Sequence, residues 1–97
     1  MSAYMLIIAE LDDAKGFRDY AIAAAGLIGQ FGGEYIVRGA QSAITLEGDW
    51  AEEEKVVISK WPSMKAAQKF WNSSEYVEIK KLRLGKARVT VRLLGGV

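Results

Sequence analysis

The sequence predicts an α+β domain in the order β-α-β-β-α-β, with a four-stranded antiparallel sheet and both helices on one face, the ferredoxin-like layout. Three observations predict it. The chain opens on a run that is apolar at almost every position, Ala3–Leu11, and closes on an alternating run over residues 88–94. Two stretches of helical periodicity, residues 14–31 and 64–85, lie between those ends. Between the helical stretches, residues 34–38, 42–47 and 55–61 read as strand segments. The 97 residues are enough for one domain, spanning 1–97.

Each element has its own reason. A first strand without alternation suits a strand covered on both faces. Asp12 or Asp13 can cap the helix that follows. There Phe17, Tyr20, Ala24, Leu27, Ile28 and Phe31 recur at helical spacing. Gly26 and Gly29 are expected to let this helix sit close to the sheet, and Gly32–Gly33 stops it. Residues 34–38 and 42–47 are taken together as one long or broken strand, with Gly39 as a bend or bulge. Residues 48–55 make a polar, acidic turn. Val56, Val57 and Ile58 then centre the strand that runs to Trp61. Pro62 ends that strand and Ser63 caps a helix whose face is Met64, Ala67, Phe70 and Trp71. Asn72–Ser73–Ser74 interrupts the helix and can recap it, so that Tyr76, Ile79 and Leu82 line a second short helix ending near Gly85. In the last strand Val89, Val91 and Leu93 alternate with Arg88, Thr90 and Arg92.

Both Tyr4/Leu6/Ile8 and Met5/Ile7/Ala9 are apolar, so the helix-free face of the sheet also needs cover. Another subunit's sheet is the simplest cover, and a homodimer is expected. Hydrophobic residues are 51% of the chain and charged ones 26%, ordinary globular usage. No apolar run reaches the ~18–20 residues that span a bilayer. The N-terminus shows no basic stretch leading into a long apolar region. A cytoplasmic protein with no membrane partner is expected, and the lack of cysteine is compatible with a reducing compartment.

Cysteine and histidine are both absent. Thiolate or imidazole zinc sites, histidine-ligated haem and Ser–His or Cys–His nucleophilic catalysis are therefore excluded. Any general acid or base must be Asp, Glu, Lys or Tyr. No metal and no cofactor are expected. Charge is unevenly spread: residues 1–54 carry 3 basic and 10 acidic side chains, residues 55–97 carry 10 basic and 2 acidic. Either the second half presents an anion-binding surface, or opposite charges meet when the halves interleave or two subunits pack. Nucleic acid is not expected as a partner. The chain is near neutral overall, and its candidate central strands lack the aromatic, glycine-containing basic signature of RNA-recognition modules.

Several segments in this order resemble the bacterial family known as domain of unknown function 1330. They are Phe17–Arg18–Asp19–Tyr20, the run from Phe31 to Gly39, Glu47–Gly48–Asp49–Trp50, Trp61–Pro62–Ser63 with Ala67, and Trp71–Asn72–Ser73–Ser74–Glu75–Tyr76 through to Arg83. The resemblance implies a ferredoxin-like subunit whose sheet pairs with a second to form a dimeric α/β barrel. It implies no settled activity. The wider superfamily includes cofactor-independent monooxygenases, isomerases and haem enzymes, and the absence of histidine argues against the haem members.

All the candidate site residues but Arg83 carry two readings, and no catalytic residue is assigned. Arg38 at a strand end either grips a carboxylate bidentately or pairs with Glu47 or Glu34 across the hairpin. Glu47 is a general base if buried, or an exposed strand-end carboxylate. Asp49, Glu52, Glu53 and Glu54 either hold a hard cation loosely or form a solvated turn. Trp50, Trp61, Phe70, Trp71 and Tyr76 line an apolar pocket for a flat ligand, or simply pack the core and dimer. Ser73 offers a hydroxyl with Tyr76 at the head of the following helix, or only caps it. Arg83, within the motif region of the resemblance, is an anion-binding candidate. Together Arg38, Glu47, Trp71, Ser73, Tyr76 and Arg83 point to a small organic or anionic ligand. The expected function is a dimeric small-molecule-binding or cofactor-independent enzymatic domain, monooxygenase- or isomerase-like. The alternative is a non-catalytic sensor or protein-interaction domain acting through its dimer.

Overall fold

The computed structural model describes residues 1–39, 43–50 and 54–97. In chain order it contains β1 (Ala3–Leu11), α1 (Ala14–Ile28), β2 (Glu34–Arg38), β3 (Glu54–Trp61), α2 (Met64–Trp71), α3 (Ser74–Lys80) and β4 (Ala87–Gly95). The strands form one antiparallel sheet in the order β2-β3-β1-β4, so the first strand to be made sits in the interior beside the last. This is the ferredoxin-like fold the sequence predicts.

The helices begin where short polar side chains can satisfy their free N–H groups. Asp13 accepts from the backbone of Gly16 at 2.9 Å, Ser63 from Ala66 at 3.0 Å and Ser73 from Tyr76 at 3.1 Å. Caps of this kind each contribute about 1 kcal/mol. After α1 the chain tightens into a 3-10 turn, Gly29–Phe31, and leaves through Gly32, whose φ of 89° suits a residue without a Cβ. Gly26 and Gly29 do not mediate a close approach to the sheet as expected. A Cβ built on either meets open space.

Alternation sets the two faces of the sheet. Ala3, Met5 and Ala9 of β1 are buried beneath the helices, and Trp61 and Ser59 of β3 stand beside Ala3 and Met5 in register. Small residues at Ala3, Ala9 and Ser59 leave room for the large rings above them. The core joins these strands to Tyr20, Ala24, Leu27 and Ile28 of α1, Ala67 and Phe70 of α2, and Tyr76 of α3. Trp61, 1% exposed, fills its centre and donates its indole N–H to Ser59 Oγ at 2.9 Å. Gly33 lies flat against that ring, where a Cβ would fall 2.7 Å from the indole. The opposite face carries Tyr4, Leu6 and Ile8 of β1 beside Lys60, Ile58 and Val56 of β3.

The hairpin strand differs from expectation. β2 stops at Arg38, and residues 43–47 are not a strand; position 42 lies outside the described residues. Gly39 makes a turn with φ 61°, donating its N–H to Val56 O at 3.1 Å. Beyond it Ile44 and Leu46 are 85% and 93% exposed, so their alternating pattern finds no surface to pack on. The register irregularity also falls earlier, between Tyr35 and Val37 rather than at Gly39. That bulge returns Arg38, opposite Val57, to the side of the sheet on which Tyr35 stands opposite Ser59.

The acidic and basic halves meet along β1 and β4. Arg88 bonds Glu10 at 2.7 Å and Asp12 at 3.2 Å, and Lys86 lies 3.7 Å from Asp13. The interleaving of opposite charge is thus visible within one subunit. Among the described residues no helix is long and apolar enough to cross a membrane, and no group of three potential ligands could hold a metal ion.

Candidate functional site

Two tyrosines 56 positions apart meet in the core. The hydroxyls of Tyr20 in α1 and Tyr76 in α3 lie 2.7 Å apart and share one hydrogen bond. The break between α2 and α3 brings them together. Asn72 ends α2 near φ −92°, ψ 0°, and Ser73 restarts the helix by accepting from the Tyr76 N–H. Without that redirection Tyr76 would lie on a continuation of the α2 axis. Phe70 and Trp71 then wall Tyr76 at centroid distances of 4.5 and 5.1 Å, and Phe17 sits 5.2 Å from Tyr20.

Cations stand over these rings. Arg83, in the 3-10 turn Lys81–Arg83 after α3, places its guanidinium 5.3 Å from the Tyr20 ring centre. Lys80 lies 4.6 Å from the ring of Trp71, and Arg38 4.9 Å from that of Tyr35. The Nε–H of Arg83 is buried, and among the described residues it has no hydrogen-bond partner. A buried donor without an acceptor costs roughly 1–3 kcal/mol, and each such group calls for an explanation.

Burial pushes the Tyr20 phenol well above its ordinary 10.0, the neighbouring Tyr76 adds to the rise, and Arg83 opposes it. Burial likewise raises Tyr35, against the pull of Arg38. These phenols therefore stay protonated at neutral pH, which leaves their hydroxyls available for hydrogen bonding and not as bases. A group that holds its proton longer when folded contributes stability that is intact below its unfolded value and fades as pH rises beyond it. Stability is expected to fall above about pH 10, by up to ~1.4 kcal/mol per pH unit for Tyr20. Urea unfolding across alkaline pH checks this, and Tyr20→Phe should flatten the slope by one proton. A phenolate absorbance titration of the folded protein that is complete near pH 10 would contradict it.

The structure gathers some predicted residues and leaves others apart. Tyr76, Trp71 and Arg83 belong to one cluster. Arg38 stacks on Tyr35, and among the described residues it bonds neither Glu47 nor Glu34. Glu47 is exposed in a loop, so the buried base its catalytic reading requires is not there. Ser73 spends its hydroxyl on capping, accepting from Tyr76 and donating to Phe70 O at 2.7 Å. Trp50 is 49% exposed, whereas Trp61 and Phe70 are plain core. Glu54 opens β3; positions 52 and 53 lie outside the described residues. Sequence reasoning took Tyr20 as one more apolar stripe residue and did not single out Tyr35. The available signal was the tyrosine itself, since a buried phenol usually needs a partner that phenylalanine would not.

The family model for the domain of unknown function DUF1330 matches residues 2–97. The chain belongs to this DUF1330 family. No curated protein matches it. Among solved structures, it is similar to RPA0582 of Rhodopseudomonas palustris, a protein of unknown function, with 21% identity, 99% of this chain and 82% of that chain covered, and a TM-score of 0.77. It is also similar to SnoaB of Streptomyces nogalater, a cofactor-independent oxygenase, with 10% identity, coverage of 99% and 93%, and a TM-score of 0.69. A third, from Nitrosomonas europaea and provisionally assigned to antibiotic biosynthesis monooxygenases, shows 11% identity, coverage of 98% and 98%, and a TM-score of 0.64. At these identities the likeness to the solved structures speaks for the shared fold, and the DUF1330 chain's chemistry must be argued from its own residues.

Proposed function

We propose that this DUF1330 chain is a homodimeric domain that binds a small organic molecule against the Tyr20–Tyr76–Arg83 cluster. We propose further that it acts on that molecule without a cofactor, by chemistry of the monooxygenase or isomerase kind. The observation that carries the reading is the buried hydroxyl pair beside a guanidinium that covers the Tyr20 ring and whose Nε–H has no partner among the described residues. A fold that needed only packing would place phenylalanine at both positions and keep arginine out. Polar groups aimed inward among aromatic walls are the usual composition of a ligand site. The cofactor-independent oxygenase among its structural relatives supports the second half of the reading, as does the absence of cysteine and histidine. The apolar sheet face formed by Leu6, Ile8, Val56 and Ile58 supports the dimer.

A metabolite library screened by thermal shift tests the reading. A ligand at 100 times its Kd stabilises by about 2.7 kcal/mol, which raises Tm by roughly 10 °C or more in a domain this size. The expected hit loses most of its effect in Arg83→Gln and Tyr76→Phe, which remove polar atoms and keep the rings. Silence across the library, with the dimer intact, would favour an interaction domain instead.

A further inference from the structure

The proton inventory of the cluster narrows the ligand class, and this step rests on the reading above. Two phenols own two hydroxyl protons. Their shared hydrogen bond uses one, whichever oxygen donates, and among the described residues neither hydroxyl has a second partner. One O–H is therefore left to donate elsewhere. Arg83 Nε–H, on the guanidinium that covers the Tyr20 ring, is a second donor without an acceptor. Guanidinium has donors only. The unmet demand is thus entirely for acceptor oxygen, beside a fixed positive charge.

Among the described residues no carboxylate meets that demand. Residues 55–97 hold two acids, Glu75 and Glu78. Glu78 pairs with Lys81 at 3.0 Å, and Glu75 accepts from Ser74 at 3.0 Å. On the other side, Asp12 and Asp13 are engaged by Arg88 and Lys86, and Asp19, next to Tyr20, is exposed. The charged groups that bear on Tyr20 and Tyr35 are Arg83 and Arg38, both cationic. Lys80 over Trp71 adds a third positive charge at the same aromatic wall.

We infer that the site receives an organic oxyanion on a flat apolar body, its oxygen accepting from Arg83 Nε–H and from the hydroxyl proton that the Tyr20–Tyr76 bond leaves unused. The class comprises aryl carboxylates and the phenolates or enolates of compounds acidic enough to bind in ionised form. The surrounding rings take the flat body, and the guanidinium pairs with charge that a neutral amide cannot supply. Binding in this mode stabilises the anion over its conjugate acid, lowering the bound ligand's own pKa.

Calorimetry with matched probes tests this at neutral pH. The charged probes are benzoate, naphthoate and para-nitrophenolate. Their neutral counterparts are benzamide, naphthamide and para-nitroanisole, and inorganic phosphate serves as the anion without a ring. At least one charged probe is expected to bind tenfold or more tightly than its neutral counterpart, with phosphate weaker than that probe. The preference should shrink below threefold in Arg83→Gln and be intermediate in Arg83→Lys, which keeps charge but not the planar Nε–H. The Tyr20→Phe/Tyr76→Phe double variant should lose part of it. In unaltered protein the Arg83 Nε–H proton resonance should shift with the charged probe and stay still with the neutral one, a readout that does not depend on a variant folding. The absorbance of bound para-nitrophenol should show a lower pKa than in free solution. Neutral probes binding as tightly as charged ones would overturn the oxyanion inference and leave the small-molecule reading standing. Phosphate binding as well as the aryl anions would overturn the flat-body part. Silence from this panel overturns the oxyanion inference, and silence from the metabolite library as well removes the binding reading beneath it.

Discussion

Trp61→Ala is expected to cost about 3–5 kcal/mol, a large share of the ~5–15 kcal/mol that holds a domain of this kind folded. The indole sits at the junction of every layer. It is 1% exposed, lies 5.0 Å from Phe70 between ring centres, and is pressed against the backbone of Gly33. Deleting it removes a large apolar area and leaves a cavity that a rigid sheet cannot close. It also strips Ser59 Oγ, 3% exposed as a residue, of its hydrogen-bond donor. In urea the midpoint should fall with little change in slope. Trp50→Ala provides the contrast: at 49% exposure it should shift stability by no more than ~0.5 kcal/mol. Equal effects at the two positions would mean that the core is not centred where the structure places it. Gly33→Ala probes the same contact from the other side, since its Cβ would overlap the ring and force strand and indole apart.

The legible parts of the fold are those whose cause is local. Asp13, Ser63 and Ser73 cap helices because a side-chain oxygen can reach an N–H three residues on, and that geometry is readable from spacing alone. The 3.6-residue stripe of α1 and the alternation of β4 are likewise local. The hairpin failed for a non-local reason. Ala43–Ile44–Thr45–Leu46 has the alternation of a strand, but alternation specifies a strand only when a neighbouring surface receives its apolar side, and Ile44 and Leu46 find none within the chain. The bulge between Tyr35 and Val37 carries no glycine to announce it. Yet it decides that Arg38 joins Tyr35 instead of facing Glu34, so the predicted ion pairs vanish with the register that produced them. The site divides in the same way. Tyr76, Trp71 and Arg83 lie within one short stretch, and their composition marks them. Tyr20 joins the candidate site only through a hydroxyl contact across 56 residues, which no window of sequence contains.

Leu6→Glu is expected to convert the proposed dimer into folded monomers. Leu6 lies midway along β1, in register with Ile58 on one side and Arg92 on the other, on the face away from the helices. Within one subunit the new carboxylate would stand beside an exposed guanidinium and remain hydrated, so the fold should survive. A two-fold interface on this face would receive the charge twice, once from each copy. Desolvating a carboxylate costs several kcal/mol even after relaxation, and the pair would repel besides. Sedimentation at micromolar concentration should therefore show a dimer for the unaltered chain and a monomer for Leu6→Glu, with helical circular dichroism retained. The Tm of the unaltered chain should rise with concentration, and that of the variant should not. Ile22→Glu, at 62% exposure on α1, should leave the dimer unaffected. A chain that sediments as a stable monomer without any substitution would remove the dimer from the proposal. It would not touch the ligand site, because Tyr20, Tyr76 and Arg83 belong to the helical layer, on the opposite side of the sheet from Leu6. The monomeric variant should accordingly keep its preference for aryl anions, and if it does, assembly and binding are separate properties of the same small fold.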